Sequence, residues 1–589
     1  MDSQERYELV TGVSQTIYDG FITYNYNFHR ITRRARVRFE KRDWKGHQDD
    51  IVERVELYEK SVRRIMLMLR RYMGDHVLDH ELWEEIKHYF GDRLELVPDA
   101  GFIKTFFNSV TRRLFDTVGI DERLQFISTG TIEEEEKSIS LSLKRYPYWG
   151  SFRKTFETVL IEFAFRVDYK DMAADAALIE SEIINYLKKH LERENKCLRF
   201  EFVDTYFYQS ARAYLVGRMI FSNGIYPIVI AFKNEDDGIQ IDAVLLREQE
   251  VSIVFGYTRS YYFADPKSVI GAVYFLHSIL PRKPLDELYT VLGRLRQGKT
   301  ERYSYFSRHL AKTNDKFVHA AGDKGLVMIV FTLPSYNLVF KVMRDTFGYP
   351  KNVTHEEVIA KYKLVSKHDR AGRLIDTQEF MKLQFPIDHF SEELLDELLA
   401  EASMAVSKQG KYLEFHHVYV ERRVRPLNLF IKEVPRSDAK LAILDYGQAL
   451  KDLANTNIFP GDLLLKNFGV TNLNRVIFYD YDEVSLITEC NFREIPEAND
   501  MMDELRADTW YYVGKNDIFP EEFIKFLSMD DELRDLFLAT YPELLTAEYW
   551  REIKEKHKSG DISLVIPYLS PVLSTSMLKE EGESEQMDE

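Results

Sequence analysis

Apolar residues in the first third of the chain recur at helical spacing, as in Ile51, Val55, Tyr58, Val62, Ile65, Met66 and Leu69 set between charged neighbours. That period predicts amphipathic helices from Ser3 to about Lys196. Over 198–263 the pattern changes to short runs such as Phe200-Glu201-Phe202-Val203, Tyr226 to Phe232, and Val251-Ser252-Ile253-Val254-Phe255, which predict a small β-rich insert. Helical spacing resumes from Pro266 to about Arg296. The polar stretch Arg296 to Arg302 reads as a boundary, placed at 305. Beyond it the pattern predicts strands, a helix from about Thr354 to Lys367, further strands and a helical remainder. The expected fold class is α+β, with a mainly helical domain over 1–305 and a bilobal, protein-kinase-like domain over 306–578. Residues 579–589, mostly Glu, Gln, Ser and Asp, predict a disordered acidic tail.

Composition narrows the chemistry. A chain of 589 residues with 45% hydrophobic positions can bury more than one core, and its net charge of −17 argues against binding a nucleic-acid polyanion through bulk charge. Cys197 and Cys490 are the only cysteines, too few for a disulfide scaffold or a zinc ribbon. The start, Met-Asp-Ser-Gln-Glu-Arg-Tyr-Glu, lacks the pattern of a signal peptide, and no apolar run approaches the roughly 18 residues of a membrane span. A cytoplasmic protein with no membrane or nucleic-acid partner is expected. A basic cluster, Arg30, Arg33, Arg34, Arg36, Arg38, Lys41 and Arg42, reads as a solvated, ion-paired helix face, with an anion site as the alternative.

The chemistry-bearing pattern lies near the C-terminus. Asp462, then Asn467 five positions on, then Asp480 after a predicted strand, has the spacing of a kinase catalytic base and two Mg²⁺ ligands. A kinase needs further parts upstream in a fixed order, and they are there. Ala320-Ala321-Gly322-Asp323-Lys324-Gly325-Leu326 supplies a glycine turn before a strand, able to approach phosphates closely. Lys341 stands inside the apolar run Asn337 to Met343, as a phosphate-pairing strand lysine does, and Glu356 or Glu357 on the next helix is a candidate carboxylate partner. Phe415 to Arg423 reads as the strand entering an adenine-binding hinge, with Glu421 beside it and His416 and His417 as ordinary strand residues.

Competing readings are weaker. His368-Asp369-Arg370 resembles a scrambled catalytic loop, but Leu374 stands where the metal-binding Asn would be. Asp480-Tyr481-Asp482 after an apolar strand also matches a haloacid-dehalogenase-like phosphatase with Asp480 as nucleophile, a fold that needs a full αβ domain afterwards. A cysteine phosphatase is excluded, since Val203 and Pro496 occupy the positions its arginine would need. A pseudokinase-type binding protein is disfavoured by the complete set Lys341, Asp462, Asn467 and Asp480.

With these residues in place, the chain resembles the bifunctional isocitrate dehydrogenase kinase/phosphatase family of bacteria along essentially its whole length. The resemblance rests on Ile458-Phe459-Pro460-Gly461-Asp462, Lys466 to Val470, Phe478 to Glu483, Asp376 to Phe380, Tyr419 to Arg423 and Asn491 to Pro496, with Asp-Tyr-Asp replacing the usual Asp-Phe-Gly. It implies a helical regulatory domain ahead of the kinase-like domain, and an enzyme that both phosphorylates and dephosphorylates a serine of isocitrate dehydrogenase, directing carbon between the citric acid cycle and the glyoxylate bypass. ATP (or ADP), Mg²⁺ or Mn²⁺, and AMP as an allosteric effector are the implied small molecules; a homodimer is left open. By motif, Ala320 to Leu326 and Lys341 hold nucleotide, Asp462 is the kinase base, Asn467 and Asp480 hold metal with Asp482 close by, and Asp376 serves the phosphatase. Read without the resemblance, Asp376-Thr377-Gln378-Glu379 is a helix capping box. The turn departs from the family's Ala-Pro-Gly-Ile-Arg-Gly-Met but keeps both glycines and the basic position. Cys490 to Phe519 corresponds to the family's substrate-recognition loop.

Overall fold

The computed structural model describes residues 2–95, 97, 99–119, 121–127, 141–190, 195–256, 262–349, 351, 353–368, 372–496, 511–560 and 568. The expected tail over 579–589 and the Asp369-Arg370 pair lie outside them. The fold is α+β, in two compact units that divide between Lys312 and Thr313.

In the first unit, long helices Ser3–Glu40 and Trp44–Met73, then His80–Asp92 and Ala100–Leu114, precede the sheet. Strands β1 (Leu143–Pro147), β2 (Cys197–Gln209), β3 (Arg212–Phe221), β4 (Gly224–Glu235) and β5 (Gly238–Leu245) form an antiparallel sheet in chain order, with helices Phe152–Glu162 and Met172–His190 between β1 and β2. Period-two alternation gives this sheet two apolar faces. Val203, Phe207, Val216 and Val229 join one core, and Phe202, Tyr206, Leu215 and Ile230 the other. The strand register shifts where β4 and β5 pair between Ala231 and Phe232, so Ile241 and Ala243, both odd-numbered, serve opposite faces.

Two expectations need correction. Val251 to Phe255, read as a strand, forms most of helix Glu248–Val254, whose first turn is capped by Glu250 accepting from the Arg247 amide at 3.1 Å. A short run with Val251, Ser252, Val254 and Phe255 all buried carries no period to separate strand from helix. The stretch Arg296 to Arg302, read as a boundary, lies in helix Leu295–Leu310. Its Gln297, Glu301 and Arg302 are buried, with Arg302 Nε donating to Asp286 Oδ2 at 2.8 Å and Thr105 Oγ1 to Gln297 Oε1 at 2.6 Å. The basic cluster is the expected ion-paired face: Arg33, Arg34, Arg36, Arg38 and Arg42 each meet a carboxylate.

In the second unit, β6 (Val318–His319), β7 (Met328–Thr332), β8 (Leu338–Met343), β9 (Gln378–Pro386), β10 (Val406–Gln409) and β11 (Tyr412–Arg422) build an antiparallel sheet around β11. β9 runs along one edge of β11, while β10 and then β8 pair with the other, and β7 and β6 follow β8. Phe317, Phe331, Phe340, Phe385, Phe390 and Phe415 pack one ring on another to hold it. Helix His355–His368 lies between β8 and β9 in the chain and reaches β11 through Tyr362 stacked on Tyr419, ring centroids 4.2 Å apart.

After β11 the chain is mostly helical. Helix Arg436–Asn455 buries Ala439, Ile443, Tyr446, Leu450 and Leu453 in a core with Phe459, Phe478 and Trp550. Short strands β12 (Arg425–Pro426), β13 (Ile458–Phe459), β14 (Phe468–Val470) and β15 (Val476–Phe478) flank the motif residues. β12, β14 and β15 form one antiparallel sheet. That removes the dehalogenase-like reading, because β15 is a three-residue strand of this small antiparallel sheet rather than the opening strand of a parallel αβ domain. Among the described residues, no helix is long and apolar enough to cross a membrane.

Candidate active site

The catalytic-loop residues hang between β13 and β15. Gly461 turns the chain at φ +88, and a Cβ there would stand 2.6 Å from Glu483 Cβ, so this position needs glycine to deliver Asp462. Asn467 donates from Nδ2 to Asp462 Oδ1. The β14–β15 hairpin, Phe468 opposite Phe478, then brings the Asn467 end beside the Asp480 end, and the Tyr479 amide closes the pair on the Asn467 carbonyl at 3.1 Å.

Lys341 comes from β8. Register places Lys341 opposite Tyr419 and Val339 opposite Glu421, so Lys341 and Glu421 are diagonal neighbours on one face of the sheet. Lys341 Nζ meets Glu421 Oε2 at 2.8 Å and donates to the Tyr479 carbonyl at 2.7 Å, and Thr377 Oγ1 donates to Glu421 Oε1 at 2.7 Å. Both side chains are nearly closed to solvent, at 5% and 2% exposure, so each charge depends on the other. This corrects one expectation. The lysine's partner is neither Glu356, which is exposed, nor Glu357, which accepts from the Thr354 amide at the start of its own helix. It is Glu421, on the strand expected to enter an adenine hinge.

Asp376 reaches this group through the backbone. Leu374 bridges to Phe478 in parallel, the Ile375 amide donates to the Phe478 carbonyl at 3.2 Å, and the Phe478 amide donates to the Arg373 carbonyl at 2.7 Å. Tyr481 Oη donates to the Ile375 carbonyl at 2.9 Å. Asp376 therefore sits next to the strand that delivers Asp480, buried, with Gln378 Nε2 donating to its Oδ2 at 3.1 Å. The capping-box reading fails, since β9 and not a helix follows. Beneath, the buried Arg373 guanidinium spans Asp445 at 2.8 Å and Asp452 at 2.7 Å and donates to the Val476 carbonyl at 2.9 Å.

The acidic centre is electrostatically loaded. Burial, then Glu483 and Asp482, push the Asp462 carboxyl up to about 6, against the pull of Lys351. Burial and the adjacent Asp482 raise Asp480 as well. Lys351, which no sequence signal marked, meets Asp482 at 3.1 Å and Glu483 at 2.5 Å, and Lys361 Nζ donates to the Asp482 carbonyl at 2.7 Å. Two crowded carboxylates plus the Asn467 amide oxygen are hard oxygen donors, which fits a divalent cation of the Mg²⁺ class.

The turn Ala320 to Leu326 joins β6 to β7, with the Ala320 amide donating to the Val330 carbonyl at 2.9 Å and Gly322 at φ +128. Asp323 reaches Lys466 of the catalytic loop at 3.7 Å, while Lys324 pairs with Glu397 at 2.9 Å. Of the Cys490 to Phe519 segment, residues 497–510 lie outside the described set; its two ends are joined by Asn491-Phe492 pairing in parallel with Asp517-Ile518.

Comparison with known proteins agrees with this assembly. Residues 14–314 match the model described as isocitrate dehydrogenase kinase/phosphatase (AceK), regulatory domain, and 315–570 match the kinase domain of the same family. A protein named isocitrate dehydrogenase kinase/phosphatase from Anaeromyxobacter sp. (strain Fw109-5) is 44% identical over 93% of this chain and 95% of its own length. One of the same name from Xanthomonas campestris pv. campestris (strain 8004) is 41% identical over 94% of this chain and 96% of its own. The chain belongs to the isocitrate dehydrogenase kinase/phosphatase family.

Proposed function

We propose that this protein phosphorylates a serine of isocitrate dehydrogenase and removes the same phosphate, switching carbon between the citric acid cycle and the glyoxylate bypass in the cytoplasm. The observation that carries the reading is the backbone pairing of 374–375 with Phe478, which sets Asp376 beside the strand delivering Asp480 while Asn467 holds Asp462. One cleft thus contains a candidate for each direction.

In the forward direction the Ala320 to Leu326 turn and Lys341 hold the ATP phosphates, and Glu421 keeps the lysine aimed. Asp462 takes the proton as the substrate hydroxyl oxygen bonds to the γ-phosphorus; the bond to the β,γ-bridging oxygen breaks and ADP leaves. Asn467 and Asp480, with Asp482 adjacent, would hold Mg²⁺ or Mn²⁺, which neutralises charge on the phosphates when bound. In the reverse direction Asp376 positions a water whose oxygen bonds to the phosphoserine phosphorus; the phosphorus–serine oxygen bond breaks, a proton from the water ends on the serine oxygen, and inorganic phosphate leaves. The first unit supplies regulation, with AMP as effector, and the segment joined at Asn491 and Asp517 serves substrate recognition.

The test follows radiolabelled phosphate from ATP onto purified isocitrate dehydrogenase and, after the labelled substrate is re-isolated, off it again. Label gained and then released by the wild type, with gain abolished in Lys341→Met, is the expected result. No transfer would favour a binding-only pseudokinase, and release without gain would favour a dedicated hydrolase.

A further inference from the structure

Residues 320–326 have no buried side chain of their own; Asp323, Lys324 and Leu326 are exposed, and Gly322 adds backbone freedom. A turn with so little packing needs its shape imposed from outside. Three side chains around it converge on the Glu397 carboxylate of helix Glu392–Glu401, and two of them, Lys324 and Arg344, also meet Glu401. His319, at the end of β6, places Nε2 2.6 Å from Glu397 Oε2; Lys324, in the turn, places Nζ 2.9 Å from Oε1; Arg344, just after β8, places Nη2 2.6 Å from Oε1.

Arg344 passes this hold to the turn's exit. Its Nε donates to the Gly325 carbonyl at 2.9 Å and its amide to the Val327 carbonyl at 2.9 Å. The helix bearing Glu397 is fixed at both ends. At its start the Ser391 amide donates to the Phe317 carbonyl at 3.0 Å; past its end Asp345 accepts from the Ser403 amide at 2.7 Å and the Met404 amide at 2.9 Å. Burial disfavours the Glu397 carboxylate, yet the donors from Lys324, Arg344 and His319 hold its carboxyl down at about 2. Hydrogen bonds between ionised partners of this kind are the stronger class.

We propose that Glu397 is a positioning residue for nucleotide binding, holding the entry, the tip and the exit of the 320–326 turn in the shape that receives phosphates. The inference rests on that turn being the nucleotide loop.

The test uses the full chain and three readouts: calorimetric Kd for Mg-ATP, amide hydrogen exchange over 319–327 without nucleotide, and the division of any kinetic effect between KM and kcat. Glu397→Gln, which keeps shape and removes charge, is expected to raise Kd and the KM for ATP about tenfold and to speed exchange in the turn, with kcat changed by less than about twofold. Glu397→Asp recovers part of the loss. Unchanged Kd and exchange in Glu397→Gln would overturn the proposal. Should Glu397→Gln fail to fold, His319→Gln carries the same readouts with an expected rise of about threefold, and no change there overturns it. A wild type that binds no Mg-ATP would instead sink the kinase reading itself.

Discussion

At the residue scale, the proximity of the candidate catalytic residues Asp462 and Asn467 could be read from spacing because they lie within one loop, whereas the counter-charge of Lys341 could not. Its partner depends on the register of β8 against β11, which brings together residues eighty positions apart in sequence, 341 and 421. The helix glutamates are nearer in sequence, yet Glu356 is exposed and Glu357 accepts from the Thr354 amide. The pair is buried, so removing one member strands the other. Glu421→Gln is expected to lower stability by about 3 kcal/mol in urea denaturation. Glu356→Gln and Glu357→Gln should leave the midpoint in place; a loss in either equal to that of Glu421→Gln would restore the helix as the lysine's partner.

At the element scale, Asp376 owes its place to a segment rather than to its own side chain. Residues 373–375 align with β15 and are clamped to helix Arg436–Asn455 by Arg373 between Asp445 and Asp452. Arg373→Met leaves two carboxylates without their shared cation and should cost about 3–5 kcal/mol. Label removal from the phosphosubstrate should fall together with stability in this variant; intact removal would show that the clamp does not set Asp376. Local pattern was misleading here, since a capping-box sequence precedes a strand once tertiary pairing with Phe478 competes. His47, near the start of helix Trp44–Met73, makes a pH prediction. Burial and then Arg54 lower its pKa from 6.5 to about 4, so the unfolded chain binds the extra proton between those values. Stability from this group is complete above pH 6.5 and is lost as pH falls toward 4, by about 3 kcal/mol. Urea midpoints against pH should drop over that window in the wild type and drop less in His47→Gln; parallel curves would contradict the assignment.

At the scale of the whole molecule, the α+β class and the order of kinase parts were legible because each part is a local pattern of glycine, strand lysine or Asp-x-x-x-x-Asn. The extent of the first unit was less so. Its helix Leu295–Leu310 is polar in sequence because it carries buried, mutually paired groups, and polarity in one sequence cannot separate that from a solvated linker. Lys351 left no trace either, since its carboxylates, Asp482 and Glu483, lie more than a hundred residues on.

The central claim is that one cleft runs both reactions with different carboxylates. Rates of label gain and label loss on isocitrate dehydrogenase, measured side by side for Asp462→Ala and Asp376→Ala, test it most directly. Asp462→Ala should lose phosphorylation by about 10²-fold or more, the scale of removing a positioned general base. Asp376→Ala should lose dephosphorylation while still adding label. Full phosphorylation by Asp462→Ala, or full dephosphorylation by Asp376→Ala, would contradict the account.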